Sequence, residues 1–300
     1  MSRRGWALFA AMGVIWGIPY LLIKVAVGEL SPTSLVFLRT AVGALILIPL
    51  AAGRGGLRPL LPHWRAVAIY TAIEIGVPWL LLSDAERHLS SSLTGLLVAT
   101  VPLIGALLAR ATGAADRLQL RQVGGLAVGF AGVVALVGLD VSRGDLSAVG
   151  EMAVVTVCYA VGPMIISRKL GGVPAVGVVA ASLALSAIAY APAGVLQFPS
   201  TIPSAHVIAA VAGLAVVCTA LAFLLFFALI AEVGPVRATI ITYVNPAVAL
   251  TLGVLLLHEP FTVGAGVGFV LILLGSYLAT RRPTAERKRR MQEPVVVSQG

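Results

Sequence analysis

An all-α integral membrane protein of ten transmembrane helices, built as two inverted five-helix repeats with both termini cytoplasmic, is the architecture that these 300 residues predict. Three observations lead to it. The chain is 59% hydrophobic and only 11% charged, with a mean hydropathy of +1.02, whereas soluble domains contain about 45–50% apolar residues. Apolar runs of about 20 residues recur along the whole length, which excludes one anchor carrying a soluble domain. If residue 1 is cytoplasmic, 17 of the 21 Lys and Arg fall inside, and only Arg87 and Arg143 fall outside. Lys24 and Arg39 lie within spans. The expected location is the inner or plasma membrane, crossed many times.

The elements follow in order, with ends good to about two to four residues. The first span, roughly 5–26, follows Met1-Ser2-Arg3-Arg4; its run is too long for a signal-peptide core and has no small-residue cleavage site, so it is retained. Ser31-Pro32 opens the second, roughly 33–53, and Gly53-Arg54-Gly55-Gly56 closes it. The third, roughly 64–83, stops at the polar Asp84-Ala85-Glu86-Arg87-His88. Spans four, five and six cover roughly 90–110, 121–139 and 147–167. Gly171-Gly172-Val173-Pro174 leads into the seventh, roughly 175–196, and the stretch from Pro199 to Pro203 leads into the eighth, roughly 206–229. The last two cover roughly 236–257 and 262–280. Beyond Thr280 come Arg281-Arg282 and Arg287-Lys288-Arg289-Arg290, so residues 283–300 read as a disordered basic cytoplasmic tail.

Sliding the chain along itself by 143 residues places Trp16 on Tyr159, Pro49 on Pro192, Asp116 on Glu259, Gly125 on Gly268 and Gly132 on Gly275. One residue of drift adds Pro102 on Pro246. The halves are residues 1–145 and 146–282. Five helices is an odd number, so the halves enter the membrane from opposite sides. Inverted repeats produce a pseudo-two-fold axis in the membrane plane with a site between the halves, as in many secondary transporters.

The net charge of +9 sits in short loops and at the termini, where it orients spans and meets anionic lipid; no basic face with interleaved aromatics serves nucleic acid. Cys158 and Cys218 lie in separate apolar runs without metal-ligand spacing, and His63, His88, His206 and His258 are scattered among loops. No metal, cofactor or catalytic residue is expected, and no P-loop glycine signature points to ATP-driven pumping. Two alternatives to a carrier stay open: an integral-membrane enzyme acting on lipids or prenyl phosphates, and a passive channel.

Several segments have a familiar order and spacing: Ile15-Trp16-Gly17 with Lys24 beyond it, Ser31-Pro32, Leu38-Arg39-Thr40 and Pro49. In the second half these are Tyr243-Val244-Asn245-Pro246, Leu257-His258-Glu259-Pro260, Gly268 and Gly275. Together they resemble the EamA-type ten-helix members of the drug/metabolite transporter superfamily, over nearly the whole chain. The sequence departs from that pattern at Pro19, at Ser182 opposite Arg39 in the repeat, and at Ala114-Ala115-Asp116-Arg117. The resemblance implies a metabolite transporter, often an exporter of amino acids or related molecules. It also implies that spans one, three, four, six, eight and nine line the cavity, with five and ten as braces.

Glu74, near the middle of span three, is the candidate proton-coupling residue, because a carboxylate at that depth costs a few kcal/mol or more unless paired, protonated or hydrated. Arg39 has three readings: a partner for Glu74, a fork for a substrate carboxylate, or a side chain that snorkels or holds backbone carbonyls. Lys24 is expected to snorkel to the outer headgroups, and Glu29 to sit in the outer loop. Deep aromatics Trp16, Tyr20, Trp79, Tyr159 and Tyr243, with Asn245, are the remaining candidates for the cavity wall. Pro19, Pro78, Pro102, Pro163 and Pro246 are expected to interrupt spans one, three, four, six and nine as hinges. Gly125-xxx-Gly129 and Gly264-xxx-Gly268 suit close helix packing, within a monomer or in a homodimer. The predicted function is therefore alternating-access export of a small organic solute, proton-coupled through Glu74, with the lipid bilayer as the other partner.

Overall fold

The computed structural model describes residues 1–112 and 120–280. Ten helical stretches follow one another: α1 (Arg3–Ala26), α2 (Pro32–Gly53), α3 (Arg58–His88), α4 (Ser91–Ala111), α5 (Leu120–Asp140), α6 (Leu146–Lys169), α7 (Ala175–Leu196), α8 (Ala205–Val233), α9 (Ile240–Leu256) and α10 (Val263–Thr280). No strand occurs among the described residues. All but α9 are long and apolar enough to cross a membrane. Large apolar side chains cover the outside as well as the inside, with Leu45, Val134 and Ile188 each at least 70% exposed, as lipid contact requires. Asp116, Arg117 and the basic tail lie outside the described residues.

Local chemistry sets the helix ends and breaks. Ser31 caps α2, its Oγ accepting from the Ser34 amide at 3.2 Å, and Pro32 fills the first helical position, where a missing N–H costs nothing. Ser90 and Ser204 cap α4 and α8 in the same way. α1 breaks after Ile15 and resumes at Pro19, α4 breaks at Ala99-Thr100 just ahead of Pro102, and α9 regains α-helical form only at Asn245-Pro246. In α3 a π segment, Thr71–Gly76, runs directly into Val77-Pro78. α8 contains a second π segment, Gly213–Leu221. The expected break at Pro163 is absent: α6 is one helix from Leu146 to Lys169, and Pro163 lies on its exposed side.

Contacts between segment ends fall into two sets. On one face Ser2 meets Glu232, the Gly56 carbonyl presses on Gly177, and Gln122 donates to the Ala279 carbonyl. On the opposite face Thr33 donates to Gln197, Thr262 donates to Asp140, and the Ser91 amide donates to Glu259. Ten crossings satisfy both sets. α2 packs with α7, α4 with α9, α5 with α10, α3 with α6 and α1 with α8, and α4 also packs with α6 and α2 with α8. Adding five to each helix number, cyclically, returns the first five of these pairs.

The α5–α10 seam uses the predicted glycine faces within one chain. A Cβ at Gly125 would lie 2.6 Å from the Ala279 amide nitrogen, and one at Gly132 would lie 2.9 Å from that of Ile272. One at Gly275 would overlap the backbone of Gly129. Only hydrogen at these positions lets the two backbones approach so closely.

Candidate functional site

Tyr20, Arg39, Glu74, Trp79 and Tyr159 converge from α1, α2, α3 and α6. Arg39 is 7% exposed, and its Cζ lies 3.6 Å from the centroid of the Trp79 ring. Its Nε donates to Thr219 Oγ1 at 2.9 Å. Thr219 in turn donates to the Leu214 carbonyl five residues back, the reach that a π segment supplies. A guanidinium has five N–H donors. Among the described residues the other four on Arg39 meet no acceptor, while the rings of Tyr20 and Tyr159 stand nearby.

Glu74 lies on the other π segment and turns toward α6. Its carboxyl occupies the place where a side chain at Gly162 would begin: a Cβ there would overlap Oε2 and lie 2.8 Å from Cδ. Among the described residues Oε2 is buried without a hydrogen-bond partner. Tyr70, Cys158 and Tyr159 are the titratable groups around it. Arg39 and Glu74 do not form an ion pair; among the described residues the pair Arg87–Asp84, at 3.2 Å, is the one present. The reason is local. The Trp79 ring and the Thr219 hydroxyl hold Arg39, and Glu74, five residues before Trp79, is directed at Gly162.

Three expected wall residues lie elsewhere. Trp16 packs against α8, with ring centroids 4.6 Å from Phe226 and 5.9 Å from Phe223. The Tyr243 hydroxyl is 3.0 Å from that of Thr280 on α10, and so is turned away from the cluster. The Asn245 amide, oriented with its nitrogen toward acceptors, donates to the Ile241 and Gly13 carbonyls at 3.0 and 3.1 Å. That use ties the turn before Pro246 to the first segment of α1. Lys24 does not snorkel: its Nζ donates to the Glu86 and Leu89 carbonyls at 2.6 and 2.8 Å, holding the last turn of α3.

Two further acids emerge from the structure. Glu86, expected in a loop, is 0% exposed because α3 continues to His88. Glu259 accepts from the Ser91 and Ser92 amides at 2.7 and 2.9 Å and from Ser92 Oγ, fastening the α9–α10 turn onto the N-terminus of α4. His258 adopts a φ of 56° to direct it there. The arrangement as a whole is closed. Tyr20, Arg39 and Trp79 are each less than a tenth exposed, so the guanidinium is sealed from the surroundings in this structure.

The model of the EamA-like transporter family matches the chain twice, over residues 3–138 and 146–281. The uncharacterized inner membrane transporter YedA of Escherichia coli strain K12 is 30% identical over 295 residues, covering 92% of each chain. The uncharacterized transporter YvbV of Bacillus subtilis is 23% identical over 284 residues, covering 93% of this chain and 92% of its own. An uncharacterized transporter of Archaeoglobus fulgidus is 24% identical, covering 92% and 99%. A crystal structure of a protein 23% identical, covering 92% of this chain and 96% of its own, superposes with a TM-score of 0.66 and speaks to the fold alone. By its twofold match and its YedA-like sequence, this chain belongs to the EamA-like transporter family and is a multi-pass transporter of the cell membrane.

Proposed function

We propose that the protein exports small organic metabolites bearing a carboxylate, amino acids among them, by alternating exposure of a central site between its two five-helix halves. Proton movement through Glu74 drives the export. The observation that carries this reading is the buried Arg39 guanidinium, held flat on Trp79 and by one bond to Thr219, with four donors unspent. Such a planar fork suits a carboxylate, which can take two parallel bonds from it. The rings of Tyr20, Trp79 and Tyr159 then face the apolar part of the solute.

Glu74 supports the coupling step. An ionised carboxylate with a buried, partnerless oxygen is costly, so its charge state and its contact with α6 change together. Protonation lets the carboxyl rest on Gly162; loss of the proton favours parting of α3 from α6. The concentration of Lys and Arg in one set of loops supports a cytoplasmic position for both termini, with the Lys24 and Glu259 ends of the helices outside.

The test is efflux from cells preloaded with amino acids and other carboxylated metabolites, in native protein and Glu74→Gln, at two external pH values and with an uncoupler. Export against a gradient, sensitive to pH and uncoupler and lost in the variant, is the expected result. Normal export by Glu74→Gln would make the acid structural. Absence of movement of every solute by native protein would return weight to the lipid-enzyme and channel alternatives.

A further inference from the structure

Glu86 is a buried acid at the end of α3 that the central cluster does not use. It is 0% exposed, and among the described residues both carboxylate oxygens are buried with no hydrogen-bond partner. Four ionisable side chains face it: Lys24 and Tyr20 from α1, Arg39 from α2 and Glu259 from the turn after α9. None of the cations forms an ion pair with it. Lys24, the nearest in chemistry and place, instead gives its ammonium protons to the carbonyls of Glu86 itself and of Leu89. An ionised carboxylate so enclosed, without a donor, costs several kcal/mol, whereas a neutral carboxylic acid fits. The ammonium that would compensate an anion is already within the same turn, bound to backbone.

We infer that Glu86 and Lys24 form a second proton-carrying site, near the face opposite the chain ends, whose two charge states hold the end of α3 differently. In the state described, the acid keeps its proton and Lys24 clamps the last turn of α3 to α1. When the carboxyl gives its proton to water at that face, the ammonium turns from the two carbonyls to the carboxylate. The Glu86 and Leu89 carbonyls then lose their donor, and the α3–α4 corner is released from α1. One proton leaves, one ion pair forms and no other group changes charge. The ligand of this site is the proton; its use in transport rests on the proposed coupling, but its titration does not.

The experiment is infrared spectroscopy of the purified full-length protein in lipid nanodiscs, titrated from about pH 5 to about pH 9 without substrate. Native protein is expected to show carboxylic-acid C=O absorption that disappears on alkalinisation. Glu86→Gln should remove one component, distinct from any removed by Glu74→Gln. In Lys24→Met the Glu86 component should persist at least tenfold lower in proton concentration, since the compensating ammonium is gone. Glu86→Asp, which keeps the acid, should shift the band without abolishing it, and covers the case in which the glutamine variant does not fold. No titrating component lost in Glu86→Gln, or an unchanged titration in Lys24→Met, overturns the proposal. So does a band that follows sodium at fixed pH. A silent Glu74 beside a titrating Glu86 would break the coupling reading and leave this one standing.

Discussion

Adding 143 to a residue number passes from the first half of the chain to the second, and many charged side chains become neutral, among them five that pack within the bundle or tie the halves. Lys24 maps to Ser167, Glu29 to Gly172, Arg39 to Ser182, Glu74 to Val217 and Glu86 to Leu229. The backbone makes no such distinction: α3 and α8 have π segments at Thr71–Gly76 and Gly213–Leu221, and 71–76 advanced by 143 is 214–219. The scaffold is two-fold while the charges of the central cluster come from the first half. Around the central cluster and at one loop the first half supplies the charge and the second receives it, Glu74 on Gly162, Arg39 on Thr219 and Glu29 on the Ser204 amide, whereas Glu259 of the second half is received by the Ser91 and Ser92 amides of the first. Each buried ion costs free energy in an apolar bundle, so neutral counterparts hold the number of charged groups to what the site uses.

The largest effect is expected from breaking that reception at Glu74. Gly162→Val puts a branched side chain where the carboxyl lies, and initial transport rates should fall on the order of tenfold or more, as in Glu74→Gln. Val217→Glu in the Glu74→Gln background restores the acid at the corresponding position, but Val217 is 37% exposed on the lipid side. It should not rescue transport, and should cost roughly 3 kcal/mol of stability besides. Rescue would mean that the halves are interchangeable in charge as well as in shape.

Arg39→Lys comes next. The ammonium keeps the charge and loses both the stack on Trp79 and the Thr219 bond, so transport of a carboxylated solute should drop about tenfold through weaker binding. The melting transition in detergent should show a loss of about 2 kcal/mol, the size of a desolvated cation–π contact. A lysine variant with unchanged apparent affinity would remove the carboxylate fork.

The scaffold itself should respond symmetrically. Gly132→Ala and Gly275→Ala, a pair 143 residues apart, each force a methyl group into the facing backbone of the α5–α10 seam. Each is expected to destabilise by about 1–3 kcal/mol. Gly105→Ala, with nothing within 4 Å of the new carbon, should stay within about 0.5 kcal/mol of native. Unequal losses at 132 and 275 would show that the seam is not shared evenly.

Why the charges were legible and their receptors were not has a physical reason. Ten spans follow from hydropathy, and Arg39 and Glu74 stand out because an ion inside a span is rare. Gly162 and Thr219 act by being small or by offering one hydroxyl, and neither property is unusual among 32 glycines and long apolar runs. The π segments have no compositional mark. Depth places an aromatic along a helix but not around it, which is why Trp16 and Tyr243 were expected at the wall and instead meet Phe226 and Thr280. Asp84-Ala85-Glu86-Arg87-His88 reads as a loop by polarity. It is the last turn of α3, with Asp84 and Arg87 paired on the outer side and Glu86 turned inward.

The smallest effect lies outside the membrane, at the loop between α1 and α2. The Ser204 amide donates to Glu29 Oε2 at 2.7 Å, tying the first half to the start of α8, while Gly172 at the corresponding place has no acid to offer. Hydrogen bonds from Ser204, side chain and then backbone, hold the Glu29 carboxyl below the usual carboxylate range. The folded state therefore favours the ionised form. Its contribution is complete above the ordinary carboxylate value and is lost as pH falls through the lowered folded one. Melting temperature measured from neutrality down to about pH 3 should fall slightly more for native protein than for Glu29→Gln, with the native advantage closing only at the acid end. Glu29 is solvent-exposed, so solvent screening keeps the gap small. A constant gap across the range would mean that the ionised carboxylate adds nothing to the tie, leaving the two halves joined at this face through Thr33 with Gln197, Thr262 with Asp140 and Ser91 with Glu259.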